Sequence, residues 1–472
     1  MSNCLRKTKI LATLGPASSS PTMIERLVKA GMDAARLNFS HGSYADHTRR
    51  LRLVRQIATK LGKPLAVLQD LQGPKIRVGN FKNGQVQIKK GAEFTLTTRS
   101  IAGDASGVST VYKGLPHDVK PGEWIYINDG LIKLRVKRVS GKDVLTTVVV
   151  GGTVSDHKGI NLPGTQVSAP ALSAKDREDL VFGLKQGVDY VALSFVRRPE
   201  DVRQVKRMIA RAGKKSQVIA KIEKPEAVAN IDAILDEADG IMVARGDLGV
   251  EMSPEAVPAV QKQLIKLAQK RRKLVITATQ MLESMTQNPF PTRAEASDVA
   301  NAVYDGTDAI MLSAETASGH YPVEAVAMMH KIAYSAECAG LHRHEAYFVN
   351  ESEDSHERAL TEAALYACEE INGKGILVFT RSGRTALLVS KDKRDLPILA
   401  LTPAQGIMNR MALYWGVVPG FLPFTPSTDK MIASGLKGAL KSRVFKKGDT
   451  VIILAGDSFH AGSTNLLKIE TV

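Results

Sequence analysis

Tyr190-Val-Ala-Leu-Ser-Phe-Val196, Val218-Ile-Ala-Lys-Ile-Glu223, Gly240-Ile-Met-Val-Ala244, Leu274-Val-Ile-Thr-Ala-Thr279 and Ala309-Ile-Met-Leu-Ser313 set one cadence. Each is a short apolar run followed by a small or polar loop and ten or more residues of helical pattern. Apolar runs of this length suit strands buried on both faces, and their alternation with helices points to βα units in a parallel sheet. Working outward, Thr8–Leu14, Ala34–Phe39 and Pro64–Gln69 read as three earlier strands. Ser20-Pro21 caps and starts a helix running to Ala30, and a second helix covers Tyr44–Leu61. Eight βα units in sequence predict an α/β chain built on a (β/α)8 TIM barrel; strand count alone leaves a doubly wound sheet open. After the third unit the cadence breaks. From Gly73 to about Val167 the chain is rich in Gly, Val and Thr, with alternating stretches such as Leu134-Arg-Val-Lys-Arg-Val139, the pattern of an inserted all-β domain. Val349–Glu357, acidic and Ser-containing, reads as a boundary. Beyond it Gly375–Thr380, Pro397–Leu401 and Thr450–Ala455 alternate with helices as a small C-terminal α/β domain. The expected division is 1–72 and 169–345 for the barrel, 73–168 for the inserted lid and 355–472 for the C-terminal domain.

Among the 472 residues, 64 Lys and Arg outnumber 48 Asp and Glu, giving a net charge of +16. Hydrophobic residues at 44% and charged residues at 24% are a globular balance, which excludes a disordered or fibrous chain. The longest apolar runs, such as Thr450-Val-Ile-Ile-Leu-Ala455, fall far short of the ~20 residues a bilayer span requires. Cys4, Cys338 and Cys368 are odd in number and far apart, so neither a disulfide framework nor a cysteine metal site is expected. The basic residues are dispersed, and with 5% aromatics they lack the interleaving that stacks bases. The expectation is a soluble cytoplasmic protein, with an anionic small molecule rather than nucleic acid or membrane as its partner.

In a barrel of this kind, function sits where strands end. Here the strand ends are polar: Arg36-Leu-Asn38-Phe39-Ser40-His41 on the second, Asp70 on the third, Lys221-Ile-Glu223 on the fifth. Arg245-Gly246-Asp247 follows the sixth, Thr279-Gln280 the seventh and Ser313-Ala-Glu315 the eighth. Side chains alternate along a strand, so Arg36 shares a face with Asn38 and Lys221 with Glu223. Singly, these read as ion pairs, caps and Asx turns. Together they would converge on one rim. Glu223 and Asp247 on adjacent strand ends suit Mg2+ or Mn2+, and Lys221 and Arg36 supply positive charge for a phosphoryl group. Neither a Walker A loop nor a G-x-G-x-x-G fingerprint occurs.

In these motifs the chain resembles the pyruvate kinase family over essentially its whole length. The segments that carry the resemblance include Thr8-Lys-Ile-Leu-Ala-Thr-Leu-Gly-Pro16, Arg36-Leu-Asn-Phe-Ser-His-Gly42, Asp70-Leu-Gln-Gly-Pro-Lys-Ile-Arg77 and Lys158-Gly-Ile-Asn-Leu-Pro-Gly164. Val243-Ala-Arg-Gly-Asp-Leu-Gly-Val-Glu251, Thr277-Ala-Thr-Gln-Met-Leu-Glu283 and Met311-Leu-Ser-Ala-Glu-Thr316 follow in order. The resemblance implies transfer of the phosphoryl group of phosphoenolpyruvate to ADP, giving pyruvate and ATP. It also implies a homotetramer. By that likeness Glu223 and Asp247 are metal ligands, Lys221 neutralises the phosphoryl group in flight, and Arg36 contacts it. Ala244, Arg245, Gly246, Asp247 and Thr279 cradle the substrate carboxylate, with Thr279 also near the path of the proton to the enolate. Asn38, Phe39, Ser40, His41, Arg77 and Lys158 take nucleotide-side positions.

Two positions depart. Potassium-dependent members carry Glu where this chain has Lys75, and many carry Thr in place of Leu71. Asn38, Ser40, Asp70 and the Leu71 carbonyl still match the monovalent-cation cage, yet an ammonium at position 75 offers the charge that cation provides. Potassium is therefore not expected to be required. In the C-terminal domain, Gly375–Phe379 runs into Thr380-Arg381-Ser382-Gly383-Arg384-Thr385 and a helical Ala386–Ser390. That order makes either an anion site or an ordinary capped loop. The resemblance favours the site, for a sugar monophosphate or AMP-like effector, with Ser463 and Thr464 of Gly456–Asn465 as a second wall. Two other readings compete. A metal-dependent barrel lyase or aldolase acting on a pyruvate enolate would share the two carboxylates but needs no nucleotide lid or Lys158. A basic nucleic-acid binder would show a steep salt dependence.

Overall fold

The computed structural model describes residues 5–340, 355–456 and 464–472. In chain order its strands begin with β1 (Lys9–Thr13), β2 (Ala34–Asn38) and β3 (Ala66–Asp70). The insert follows with β4 (Gln85–Ile88), β5 (Glu93–Thr97), β6 (Gly107–Ser109), β7 (Trp124–Ile127), β8 (Ile132–Ser140), β9 (Asp143–Val150), β10 (Gly152–Ser155) and β11 (Ile160–Asn161). Then come β12 (Tyr190–Leu193), β13 (Gln217–Ile222), β14 (Gly240–Ala244), β15 (Leu274–Ala278) and β16 (Ala309–Leu312). The last group is β17 (Ile376–Phe379), β18 (Ile398–Thr402), β19 (Val417–Phe421), β20 (Thr450–Gly456) and β21 (Thr464–Thr471). Strands β1–β3 and β12–β16 close into a parallel eight-stranded barrel in the order β1-β16-β15-β14-β13-β12-β3-β2, so the barrel expectation holds over the doubly wound one.

The alternation expected of buried strands is visible in the packing. Ile10 and Ala12 face the outer helices, while Leu11 joins Leu68, Ile219, Met242 and Ile276 inside the barrel. That inner core continues into the C-terminal domain through Met411 and Tyr414, so the two share one apolar seam. The insert has its own core around Phe94, Ile125 and Val148 in a six-stranded sheet, β11-β7-β8-β9-β5-β6, with β4 and β10 paired separately. Ile160 donates its N–H to the Ile76 carbonyl, so the two linkers joining insert to barrel run side by side.

A repeat not read from the sequence organises the base of the barrel. An aspartate stands immediately before every second strand: Asp33 before β2, Asp189 before β12, Asp239 before β14 and Asp308 before β16. Each carboxylate accepts a backbone N–H from the preceding strand, from Ile10 (2.9 Å), Val67 (2.7 Å), Val218 (2.8 Å) and Val275 (2.8 Å). Each also has a cation: Arg6 on Asp33, Arg55 on Asp189, Lys206 on Asp239, and Lys391 with Lys393 on Asp308. Three of the four lie in Gly-x-Asp, where Gly31, Gly187 and Gly306 follow a helix with positive φ and let the chain turn back to the sheet. Asp308 reaches Lys391 and Lys393 across the seam, so this ring also anchors the C-terminal domain.

In the C-terminal domain the sheet runs β19-β18-β17-β20-β21. Neither edge strand is expected from the sequence. Pro419-Gly420 argues against a strand, and an edge is the place a sheet tolerates them. The boundary expected at Val349–Glu357 and the end of the second barrel segment at 341–345 lie wholly or partly outside the described residues. Among the described residues no helix is long and apolar enough to cross a membrane.

Candidate active site

The polar strand ends meet at the barrel mouth. Arg36, on β2, donates through Nε to Asp70 (2.7 Å) and through Nη1 to the Thr13 hydroxyl (3.0 Å). Asp70 ends β3 and is buried. Lys221, on β13, reaches Glu223 (2.9 Å), Asp70 (3.3 Å) and the Ser194 hydroxyl (2.7 Å). Period-two alternation brings the Lys221 ammonium and the Glu223 carboxylate to one side, as expected. Ser194 also donates to the Leu71 carbonyl (2.7 Å), tying the end of β3 to the loop after β12.

Glu223 is 1% exposed and accepts the Phe195 backbone N–H at 2.7 Å. Burial, with the Asp247 carboxylate beside it, pushes its carboxyl above the ordinary value even though Lys221 pulls the other way. Burial would lower the Lys221 ammonium, but Asp70 and Glu223 outweigh it and hold Lys221 above the ordinary lysine range. Asp70 is held low: burial would raise it, and Lys221 and Arg36 more than compensate. At neutral pH the cluster therefore carries a firm ammonium among carboxylates of unequal acidity.

Asp247 lies in the first turn of the helix Arg245–Glu251, directly after β14. The Thr279 hydroxyl accepts the Gly246 N–H at 2.8 Å and donates to the Ala278 carbonyl at 2.6 Å. Thr279 and Gln280 both have positive φ, 69° and 53°, a strained turn of the kind found at functional sites. The Arg245 guanidinium does not point to the mouth. It binds Asp298 (2.7 Å) and the Thr279 carbonyl (2.7 Å), fixing that turn from behind.

Asn38 and Ser40 form the Asx turn read as the plain alternative, with the Ser40 N–H on the Asn38 side-chain oxygen at 3.1 Å. Phe39 is buried and stacks on His47, ring centroids 4.0 Å apart. His41 is exposed at the rim. Partial burial and the charges of Arg77, Arg36 and Lys75 depress its pKa, which keeps it neutral at pH 7. The same influence brings Arg77 of the lid linker and Lys75 into the mouth's field. Arg77 donates to the His157 carbonyl at 2.8 Å, next to Lys158.

Lys75 goes elsewhere than expected. Its ammonium stands 3.7 Å from Asp247, whereas the cations on Asp70 are Arg36 and Lys221. The side chain passes over Gly159 on its way to the helix after β14. Sequence reading also missed Thr13, Ser194, His47 and the buried link from Asn161 of the lid to Glu251 (2.9 Å), with Lys224 on the same carboxylate at 2.7 Å. Ser194 stands in the quoted strand Tyr190–Val196, a hydroxyl in an otherwise apolar run, and that was the available signal.

At the C-terminal loop the helix spans Arg384–Lys391, longer than read. The Thr380 hydroxyl caps the Gly383 N–H at 2.9 Å, and the Ser382 hydroxyl accepts the Arg384 N–H at 3.3 Å. Thr385 and Thr464 share a hydrogen bond of 2.6 Å. Arg384 is paired with Glu357 at 3.0 Å, and Arg381 lies over the Phe424 ring. Ser463 lies outside the described residues.

The chain matches the family model "Pyruvate kinase, barrel domain" over residues 5–326 and "Pyruvate kinase, alpha/beta domain" over 358–470. It is 47% identical to pyruvate kinase 2 of Synechocystis sp., covering 99% of this chain and 79% of that one. Identity to the pyruvate kinase of Geobacillus stearothermophilus is 45%, over 99% of this chain and 80% of that one. For the pyruvate kinase of Clostridium acetobutylicum the figures are 43%, 99% and 100%.

Proposed function

The chain belongs to the pyruvate kinase family, phosphotransferases that move the phosphoryl group of phosphoenolpyruvate to ADP, and we propose that the barrel mouth is where this chain does so. The observation that carries the reading is the Lys221 ammonium, held between Glu223 and Asp70 and beside Arg36, with Asp247 adding a second carboxylate next to Glu223.

Glu223, raised by burial and by the Asp247 carboxylate beside it, makes with Asp247 a pair of carboxylates that, with no third ligand of their kind among the described residues, fits Mg2+ or Mn2+, which binds through a few carboxylates plus substrate oxygens. Glu223 and Asp247 would hold it, and when bound it neutralises charge on the substrate's carboxylate and phosphate. The other roles fall to the chain's own groups. Arg36 is braced by Asp70 and Thr13 through Nε and Nη1, and its remaining Nη2 is available to a phosphate oxygen. Lys221 meets the charge that spreads over the phosphoryl group in transit, where a fixed cation in a dry site is worth most. Loss of that group leaves an enolate. Thr279, whose hydroxyl is aligned by Gly246 and Ala278, lies on the path of the proton to it.

Asn38, Phe39, Ser40, His41, Arg77 and Lys158 form the nucleotide side, closed by the lid. Ala244, Arg245, Gly246 and Asp247 form the carboxylate cradle, with Arg245 contributing by bracing the Thr279 turn. Lys75 supplies the charge for which other members use potassium, from beside Asp247, so Asn38, Ser40, Asp70 and Leu71 need hold no monovalent ion. The loop Thr380–Thr385 takes a sugar monophosphate or AMP-like effector in a cytoplasmic homotetramer. Arg384→Ala then removes activation and keeps the maximal rate at saturating phosphoenolpyruvate; unchanged activation means the effector binds elsewhere. The overall test is pyruvate formation from phosphoenolpyruvate and ADP, coupled to a second enzyme, with and without Mg2+. A metal-dependent ATP signal supports the reading. Pyruvate chemistry without ATP favours the lyase.

A further inference from the structure

On the far side of the barrel from the mouth, a cavity of about 360 Å³ opens between the barrel base and the C-terminal domain. One wall is cationic: Lys214 and Lys215 from the turn before β13, and Arg381 and Arg410 from the C-terminal domain. The apolar part of the lining is Leu184, Val188 and Ile407. The carboxylate on the lining, Asp189, is hydrogen-bonded to Arg55 at 2.8 Å and to the Val67 N–H, and its charge also acts on Arg410. Lys214 and Lys215 are exposed and make no ion pair among the described residues.

Arg410 is the built element. It is 8% exposed, and it donates to the Lys215 carbonyl (3.0 Å) and the Ser382 carbonyl. Its own carbonyl receives the Tyr190 hydroxyl at 2.8 Å, fixing it against β12. Yet its Nε is buried without a hydrogen-bond partner among the described residues. A buried guanidinium N–H left unpaired is costly, and Lys214 and Lys215 beside the same cavity add like-charge repulsion. A dianion would relieve both.

We propose that this seam cavity binds a phosphate monoester carrying a flat apolar ring, of the nucleoside monophosphate class. The phosphate would meet Lys214, Lys215, Arg381 and Arg410. The ring would lie on Val188 and Ile407, and the volume is that of a small-molecule pocket. Such a ligand would touch both domains, and through Arg410 and Ser382 it would touch the back of the Thr380–Thr385 loop. It would do so at a place separate from the loop's outer face, where Arg384 stands.

Calorimetry on the full chain tests this with three probes: AMP, glucose 6-phosphate and inorganic phosphate. The double variant Lys214→Glu/Lys215→Glu alters two exposed side chains, so the fold should survive, as its unfolding midpoint will report. We expect saturable AMP binding to the parent, weakened at least tenfold (~1.4 kcal/mol) in the double variant and changed less than twofold in Arg384→Ala. Absence of saturable binding by any probe overturns the site. So does AMP binding lost in Arg384→Ala, whether or not the double variant also loses it, because the ligand then sits at the loop. Measured in Arg384→Ala, where the loop's own effector contact is removed, glucose 6-phosphate or inorganic phosphate bound as tightly as AMP overturns the ring and its apolar wall. If Arg384→Ala abolishes activation while AMP still binds, the loop reading and the seam site stand independently.

Discussion

At the base of the barrel each of four aspartates is met by a backbone N–H and a Lys or Arg; at the mouth Glu223 and Asp247 face each other with Lys221 and Lys75 as the cations nearest them. The residue types are the same at both ends. At the base each of these four carboxylates is answered within the fold, and the result is a ring that closes the barrel and pins the C-terminal domain. At the mouth the answer is incomplete. Glu223 is raised by its own burial and by Asp247, and the Thr279–Gln280 backbone is strained. An end built to hold shape pairs its charges, whereas an end built to handle a substrate keeps charge in reserve for it.

That contrast breaks most visibly at Lys221. Replacing Lys221 with Met should slow phosphoryl transfer about 10³-fold or more, since its ammonium acts where charge spreads in the transition state, while substrate binding to the folded variant changes little. A variant with the parent's kcat removes Lys221 from the mechanism. The converse experiment is Asp308→Asn at the base. It strands Lys391 and Lys393 in a buried seam and should cost about 3–5 kcal/mol in denaturant unfolding, with KM for phosphoenolpyruvate unchanged in the folded protein. An unfolding midpoint equal to the parent's would show the ring to be ornamental.

Smaller effects sharpen the comparison. The parent should be near maximally active without potassium and Lys75→Glu should install a requirement for it, because a tethered ammonium then no longer serves the mouth. Strong potassium activation of the parent contradicts this. At the base, burial would raise Asp33, but Arg6, Lys63 and Lys9 hold it well below the ordinary carboxylate value near 4. Below that value the unfolded chain takes up protons that the folded Asp33 refuses. Its contribution is therefore complete above about pH 4 and lost as the pH falls further. Acid titration of Asp33→Asn should show a shallower loss of stability than the parent; equal slopes would mean that Asp33 is not the group titrating.

Most of the barrel was legible because buried parallel strands must be apolar throughout, and Gly240–Ala244 is matched residue for residue by β14. The mouth was legible where a polar residue interrupts or ends such a run, as at Arg36, Lys221 and Glu223. The aspartate ring was equally present in the Gly-x-Asp starts of β2, β12 and β16, but its meaning depends on strand adjacency, which spacing along the chain does not carry. Lys75 was misplaced for a related reason. Its position in the linker was plain, and the direction of a long flexible side chain over Gly159 was not. Strands β19 and β21 escaped because edge strands need neither continuous apolarity nor freedom from proline.

The central claim is that the mouth's two carboxylates are in reserve for a divalent cation. Its most direct measurement is a Mg2+ titration of pyruvate formation in the parent, Glu223→Ala and Asp247→Ala, alongside their unfolding midpoints. The account predicts a Mg2+ requirement raised at least tenfold in each variant without loss of the folded state, since each change deletes one hard anionic ligand from a site with few. Titration curves that superimpose on the parent's would contradict it, and would mean that any metal is held somewhere else in the molecule.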